Sequence, residues 1–126
     1  QILSFYQDDL KENKFEVLTK IENKQWKMMG DEAILQRVFD NIFSNIMKYA
    51  ERSIVTITLQ FEQNNMILRI TNRKKKSASL EKGTQIGLKS VGKLMKGLNG
   101  SFQYEQNDEE FIVELAFPVK IENYNC

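Results

Sequence analysis

The polar residues of one amphipathic segment have the spacing and side-chain types that could do chemistry. Asn41, Asn45 and Lys48 are spaced i, i+4, i+7, so they share one edge of a predicted helix. A side-chain carbonyl oxygen is a hard ligand that suits Mg²⁺, which keeps waters and phosphate oxygens as its other ligands. A nearby lysine can neutralise phosphate as a point charge. From spacing alone a solvated helix edge is the more frequent explanation, so both interpretations stay open.

Glycine is concentrated in a second candidate region. Five of the six glycines lie between residues 83 and 100, and Gly83 and Gly87 come just before an apolar helical pattern that begins at Leu88. Glycines at the start of a helix let backbone N–H groups approach a polyphosphate, and the helix dipole favours an anion there. Glycine before a helix can also serve packing alone, so this signal is weak by itself.

Composition excludes several classes of function. The 126 residues contain no histidine, and the single cysteine is Cys126, which excludes histidine-based zinc sites, Ser-His-Asp and Cys-His chemistry, and internal disulfides. Lys and Arg number 18 against 17 Asp and Glu, which argues against a general nucleic-acid binder. The basic run at residues 73–76 is typical of a solvated loop. No apolar run is long enough to span a bilayer, and no signal peptide opens the chain.

The elements that must position these residues follow from hydrophobic periodicity. We predict helices at residues 4–13, with Phe5 and Leu10 on one side, at 31–50, with Asp31 as N-cap, and at 88–98, closed by a C-cap at 99–100. Strands are predicted at 15–21, 54–61, 66–71, 101–105 and 110–119, with a loop at 73–82. This order predicts one α+β domain over residues 1–126, a two-layer sandwich whose mixed sheet carries helices on one face.

The segment at residues 31–49 resembles the N box of sensor histidine kinases, which has an Asp start, a leucine-rich run, two Asn four apart, and Lys-Tyr. The order of elements along nearly the whole chain is similar to the Bergerat-type ATP-binding domain of the GHKL ATPase superfamily. The resemblance implies that Asn45 is the magnesium ligand and that Asn41 is a phosphate or metal-shell partner. It also implies that Lys48 contacts phosphate and that Tyr49 flanks the nucleotide near its ribose and phosphates.

Two glycine boxes of that family match less well. Residues 83–91 resemble the second box, which implies that Gly83, Gly87 and Leu88 lie on the phosphate side of the nucleotide, although Gln85 replaces the middle glycine. In the first box, Asn72 stands where the family has an Asp that accepts from the adenine amino group, and both glycines are missing. The Asn carbonyl can accept the same bond as a neutral, weaker acceptor. The short lid between the boxes predicts weaker nucleotide binding, and lysines 74–76 are a candidate compensating charge over the triphosphate.

The resemblance implies a cytoplasmic, ATP-binding catalytic domain of a two-component sensor histidine kinase, with ATP and Mg²⁺ as its ligands. It would donate the γ-phosphate to a histidine on a separate dimerisation domain of a membrane-anchored, homodimeric parent, whose further partner is a response regulator. Because the chain begins at Gln1, we expect it to be a fragment of that parent. Two alternatives stay open, which are a degenerate signalling or interaction module that binds nucleotide poorly and an anti-sigma-type serine kinase of the same fold. Nucleic acid is not an expected partner.

Overall fold

The computed structural model describes residues 2–74 and 82–121. Its elements are α1 (Ile2–Glu12), β1 (Glu16–Ile21), β2 (Trp26–Met28), α2 (Glu32–Tyr49), β3 (Ala50–Glu62), β4 (Asn65–Lys74), α3 (Lys82–Gly97), β5 (Ser101–Gln106) and β6 (Glu110–Ile121). None of the helices in these two ranges is long and apolar enough to cross a membrane.

The strands form one six-stranded mixed sheet, in the order β1-β3-β4-β6-β2. The β1 strand runs parallel to β3, and the other pairs are antiparallel. The long β6 strand carries two short neighbours along its outer edge, because residues 111–116 pair with β5 and residues 119–121 pair with β2. The predicted α+β sandwich with a mixed sheet is confirmed.

The core lies between the helices and one face of the sheet. The α2 helix begins at its predicted N-cap, where the Asp31 carboxylate accepts a 2.9 Å hydrogen bond from the Ala33 N–H. Its buried stripe consists of Leu35, Val38, Phe39, Ile42, Phe43 and Ile46. Every second residue of the central strands faces this stripe, as period-two alternation requires, and β4 contributes Met66, Leu68 and Ile70.

The C-terminus of α3 fixes where the chain turns back into the sheet. The Gly100 N–H donates to the Met95 carbonyl at 2.9 Å and the Asn99 N–H to the Lys96 carbonyl at 3.0 Å, which together form a Schellman motif. Asn99 occupies the left-handed position, with φ 56°. The predicted C-cap is therefore confirmed. Gly100 is also closely packed, because a Cβ there would clash with the carbonyl oxygen of Ala116.

Some predicted boundaries were wrong. The β2 strand was missed, and β3 begins at Ala50, directly after α2 and without a loop. The predicted loop at 73–82 is too long at both ends, since Arg73 and Lys74 belong to β4 and Lys82 begins α3. Residues 75–81 lie outside the described part of the chain.

Candidate functional site

The flank of α2 that carries the predicted polar stripe faces α3. A Cβ on Gly97, near the end of α3, would lie 3.8 Å from Cδ1 of Ile34, near the start of α2. Asn41 and Asn45 lie seven and eleven residues after Ile34, which puts all three on one helix flank. The start of α2 lies beside the end of α3, so the two helices run antiparallel. We therefore expect the carboxyl-terminal half of this flank to lie toward the first turns of α3.

Asn45 has an unsatisfied polar atom on this flank. The residue is partly buried, and its Nδ2 is enclosed with no hydrogen-bond partner among the described residues. A buried amide left without a partner costs about 1–3 kcal/mol, so such groups are uncommon unless something else satisfies them. Asn45 is therefore a position on this flank where an added hydrogen-bond acceptor would recover free energy.

The other α2 residues of the predicted site surround Asn45. Asn41 is partly buried one turn earlier, and Lys48 is exposed in the last turn. Tyr49 is partly buried and is the final residue of the helix. The structure thus brings the four predicted residues of this helix together along its last two and a half turns.

Asn72 lies at the same end of the molecule, on the sheet. Tyr49 and Ala50 join α2 directly to β3, and Ala50 pairs with Lys74 of β4, two residues beyond Asn72. Asn72 continues the inward-facing series of β4 and is 6% exposed, and it is the one buried polar residue in the described ranges. A buried carboxamide in a line of apolar side chains is unusual, and we call the region between Asn72, the last turns of α2 and the first turns of α3 the candidate cleft, or cleft for short.

The hydrogen bonding of Asn72 determines which way its carboxamide points. Its Nδ2 donates to the carbonyl oxygen of Arg73 at 3.1 Å. A carbonyl can only accept, so the nitrogen must occupy that side, and the carboxamide oxygen lies on the other side of the group. The carboxamide oxygen is therefore the atom of Asn72 that is left to accept a hydrogen bond, and the adenine contact that the resemblance implies for this residue stays a prediction.

The predicted glycine residues lie on α3. Gly83 and Gly87 fall in the first two turns of this helix, which begins at Lys82 and not at Leu88. Leu88 is 4% exposed and so has a packing role in the folded chain. Because α2 and α3 are antiparallel, these turns and Asn45 lie at the same end of the cleft.

The basic run is only partly described. The Lys74 ammonium donates to the Asn107 carbonyl at 2.9 Å and to Oε1 of Gln106 at 3.2 Å, at the turn between β5 and β6. Arg73 lies 3.5 Å from Glu51 in an exposed ion pair. Lys74 is therefore already bound to the turn, and residues 75 and 76 lie outside the described ranges.

The sequence patterns did not identify Phe111, which lies beside Asn72, or Tyr104, which lies on the next strand. Phe111 of β6 pairs directly with Asn72, and Tyr104 of β5 stacks on Phe111. Alternation along β5 and β6 was a signal that could have found them, since Phe102, Tyr104, Phe111 and Val113 all fall on the inward-facing register. The sequence identified the buried amide of the cleft without the aromatic rings near it.

The donor set of this cleft fits a magnesium–nucleotide complex. No cluster of three or more His, Cys, Asp or Glu suited to a metal occurs in the described residues. Mg²⁺ needs no such cluster, because it is commonly held by one or two protein oxygens together with waters and phosphates. A carboxamide that ligates through its oxygen keeps its nitrogen for a phosphate or water acceptor, which the orphaned Nδ2 of Asn45 lacks.

Comparison with known proteins gives a consistent family. Residues 27–118 match the family model of the GHKL domain. The chain is 29% identical over 84 residues to the sensor histidine kinase YrkQ of Bacillus subtilis, covering 66% of this chain and 19% of that protein. It is 31% identical over 91 residues to the oxygen sensor histidine kinase NreB of Staphylococcus carnosus, covering 70% and 26%. The chain thus spans only a minor part of the length of these relatives.

Solved structures match the fold. The mycobacterial sensor histidine kinase MprB superimposes with a TM-score of 0.76 at 15% identity, covering 96% of this chain and 94% of that one. Full-length ShkA, solved in complex with AMPPNP, gives a TM-score of 0.72 at 14% identity, covering 97% and 29%. These identities are low, so the likeness establishes a shared architecture.

Proposed function

Because the chain belongs to the GHKL domain family, we propose that it is the ATP-binding catalytic domain of a two-component sensor histidine kinase. It would hold Mg·ATP in the cleft between α2 and α3 and present the γ-phosphate to a histidine on a separate dimerisation domain of the parent protein. A response regulator would then be the partner of that parent. Histidine is absent from the 126 residues, in keeping with an acceptor located elsewhere.

The observation that carries this proposal is the enclosed Nδ2 of Asn45, which lacks a partner in the described chain. Its cost is recovered if a phosphate oxygen or a metal-bound water accepts from it when ligand is present. In this proposal the helix flank that holds it lies toward the glycine-containing first turns of α3, where the backbone N–H groups of a helix start suit an anion. A nucleotide that spans from this flank to the oriented acceptor on Asn72 would use both polar features of the cleft.

Each residue of the proposed site would contact a different part of the Mg·ATP complex. Asn45 would hold Mg²⁺ through its oxygen, with Asn41 and Lys48 toward the phosphates, and Tyr49 near the ribose. When bound, Mg²⁺ neutralises phosphate charge and orients the phosphate oxygens. Asn72 would accept a hydrogen bond from the adenine amino group. In this arrangement the domain contributes positioning and charge neutralisation, and it forms no covalent intermediate.

Isothermal titration with Mg·ATP tests the proposal. We expect the unsubstituted 126-residue chain, called the parent in all variant comparisons, to bind Mg·ATP, and the Asn45→Ala variant to lose at least about tenfold in affinity. The Asn23→Ala variant, which removes an exposed amide, should bind like the parent. Omission of Mg²⁺ should weaken ATP binding by the parent far more than ATP binding by the Asn45→Ala variant. Absence of binding heat in the parent at several temperatures would contradict the proposal and favour an interaction module.

The chemistry of the phosphorylated product separates the two kinase classes. The full-length parent protein, incubated with ATP labelled at the γ-phosphate, should acquire label that is stable in alkali and lost in acid, as a phosphorus–nitrogen bond requires. Label that survives acid would instead indicate a serine kinase of the same fold. A parent in which Asn45 is replaced by Ala should acquire little label of either kind.

A further inference from the structure

Two aromatic rings stack on each other on the inward face of the sheet, near Asn72. The ring centroids of Tyr104 and Phe111 are 5.7 Å apart, and their planes are inclined by 27°, a stacked arrangement. They sit diagonally across the antiparallel β5–β6 pair, where neighbouring long side chains on one face meet. We call Tyr104 and Phe111 the aromatic platform.

The aromatic platform adjoins Asn72. Phe111 lies directly opposite Asn72 in the β4–β6 ladder, so both side chains rise from the same face of the sheet. Side chains that are directly opposite in such a ladder have Cβ atoms about 5 Å apart. A planar ring whose edge reaches the Asn72 carboxamide from the β6 side would therefore meet Phe111.

Helix α3 covers the neighbouring ring on β5 but leaves the aromatic platform exposed. Phe102, two residues earlier on the same face of β5, is covered by α3, since a Cβ on Gly92 would lie 4.0 Å from its ring. Tyr104 is 44% exposed, and Phe111 is only partly buried. The inward face of the sheet thus changes from covered at Phe102 to open at Tyr104, whose ring stacks on Phe111, the residue opposite Asn72.

We propose that the aromatic platform stacks the purine ring of the bound nucleotide and supplies affinity that the neutral acceptor Asn72 does not. This inference rests on the proposed function, because it assigns the base contact of the same site. Stacking on an aromatic side chain tolerates any base, since every base has a π-face. Selection of adenine then depends on the fixed acceptor of Asn72, while the platform sets how tightly the base is held.

A substitution series at Tyr104 tests the platform by titration with Mg·ATP. Tyr104→Ala should weaken binding by a factor between about 5 and about 150, the range seen when single stacking rings are truncated. Tyr104→Phe keeps the ring and should bind like the parent, and Tyr104→Trp should bind at least as tightly. Tyr104→Leu keeps apolar surface without a ring and should resemble the Ala variant. Phe5→Ala removes an exposed ring on α1, away from the cleft, and should change nothing.

The outcomes separate this inference from the proposed function. Suppose that the parent binds Mg·ATP, that Asn45→Ala does not, and that Tyr104→Ala binds like the parent. The proposed stacking on the aromatic platform would then be wrong, while the proposed nucleotide site would be retained. Binding by Tyr104→Leu equal to that of Tyr104→Phe would also overturn stacking, because it would show a need for apolar surface only. If the parent itself fails to bind, the proposed function fails. Urea unfolding of each variant verifies that lost binding does not reflect lost folding.

Discussion

The Tyr6 hydroxyl donates to Oδ1 of Asp40 at 2.5 Å, which joins α1 to the exposed side of α2. The ring of Tyr6 stacks on Phe43 at 4.7 Å and meets Phe39 edge-on at 5.8 Å. Tyr6 is 5% exposed, so its ring completes the core while its hydroxyl reaches a carboxylate at the boundary. Through this residue α1 stabilises the same helix whose opposite flank holds Asn45.

This contact predicts a specific dependence of stability on pH. Burial, together with the hydrogen bond to Asp40 and the charge of that residue, raises the pKa of Tyr6 well above its ordinary value of 10.0. The unfolded chain therefore loses the Tyr6 proton near pH 10 while the folded chain keeps it, so the free energy of unfolding falls as pH rises beyond 10. Below about pH 10 the stabilisation is complete.

The Tyr6→Phe variant isolates this effect. At pH 7 we expect it to be about 1 kcal/mol less stable than the parent, since it loses one hydrogen bond to a charged group and the exposed Asp40 regains water. Above about pH 10 the gap should shrink by about 1.4 kcal/mol per pH unit and close within about one unit. Urea unfolding of both proteins from neutral pH to about pH 11 measures it. A gap that stays constant across this range would contradict the assignment.

The Asn45→Leu variant is predicted to lose nucleotide binding while its stability is unchanged or higher. Leu has nearly the shape of Asn, and it removes an enclosed Nδ2 that has no partner in the described chain. Without nucleotide the variant should be as stable as the parent or up to about 1 kcal/mol more stable, because no buried donor is left unsatisfied. Mg·ATP should raise the melting temperature of the parent but not of the variant. A loss of more than about 1 kcal/mol would mean that the amide is satisfied within the fold.

Two glycines, one within α3 and one just after its C-cap, are predicted to respond oppositely to alanine. Gly92 lies within the helix, and its nearest neighbour would be the Phe102 ring at 4.0 Å, so Gly92→Ala should stabilise by about 0.5–1 kcal/mol through helix propensity. At Gly100 the added Cβ meets the Ala116 carbonyl and, at 2.9 Å, the Met95 methyl group. Gly100→Ala should therefore cost about 1–3 kcal/mol or more. Equal effects in urea unfolding would contradict this description of the two positions.

The sequence predicted best where a pattern repeated over many residues. The α2 helix has an apolar stripe along most of its length and an N-cap that bonds as expected, so its position and polar edge followed from periodicity. The three residues of β2 are too few to show a period, and their strand exists because β6 offers residues 119–121 as an edge. Pairing with a distant strand is tertiary information that local sequence does not contain.

The wrong face predicted for α1 and the rings missed near Asn72 have the same origin. Phe5 was predicted to share the inward side with Leu10, yet Phe5 is 68% exposed and Leu10 is buried. Tyr6 faces the core in place of Phe5, because its hydroxyl can reach Asp40 of another helix. Likewise, the resemblance identified Asn72 as an acceptor, whereas the neighbouring rings became apparent only when the β4–β6 register placed Phe111 opposite it.

The Asn72→Asp variant should bind nucleotide more tightly than the parent, and its nucleotide-free form should be less stable. A charged acceptor makes a stronger hydrogen bond to the adenine amino group than a neutral one. However, the introduced carboxylate would be nearly enclosed, would lack the donor that now bonds the Arg73 carbonyl, and would place negative charge near that oxygen. We expect the free energy of unfolding of this variant at pH 7 to fall by about 1–3 kcal/mol, and its melting temperature to rise more with Mg·ATP than that of the parent.

Asn72→Leu is the matched control for this prediction. It keeps the branched shape with a larger volume and continues the apolar series of β4, so it should still fold, at a cost of at most about 3 kcal/mol, while losing affinity for Mg·ATP. Titration and urea unfolding of the three proteins separate the two roles of the residue. If the Asp variant gains no affinity over the parent while the Leu variant binds equally well, then residue 72 does not contact the base. The nucleotide would then have to be held by the α2 flank and the aromatic platform alone.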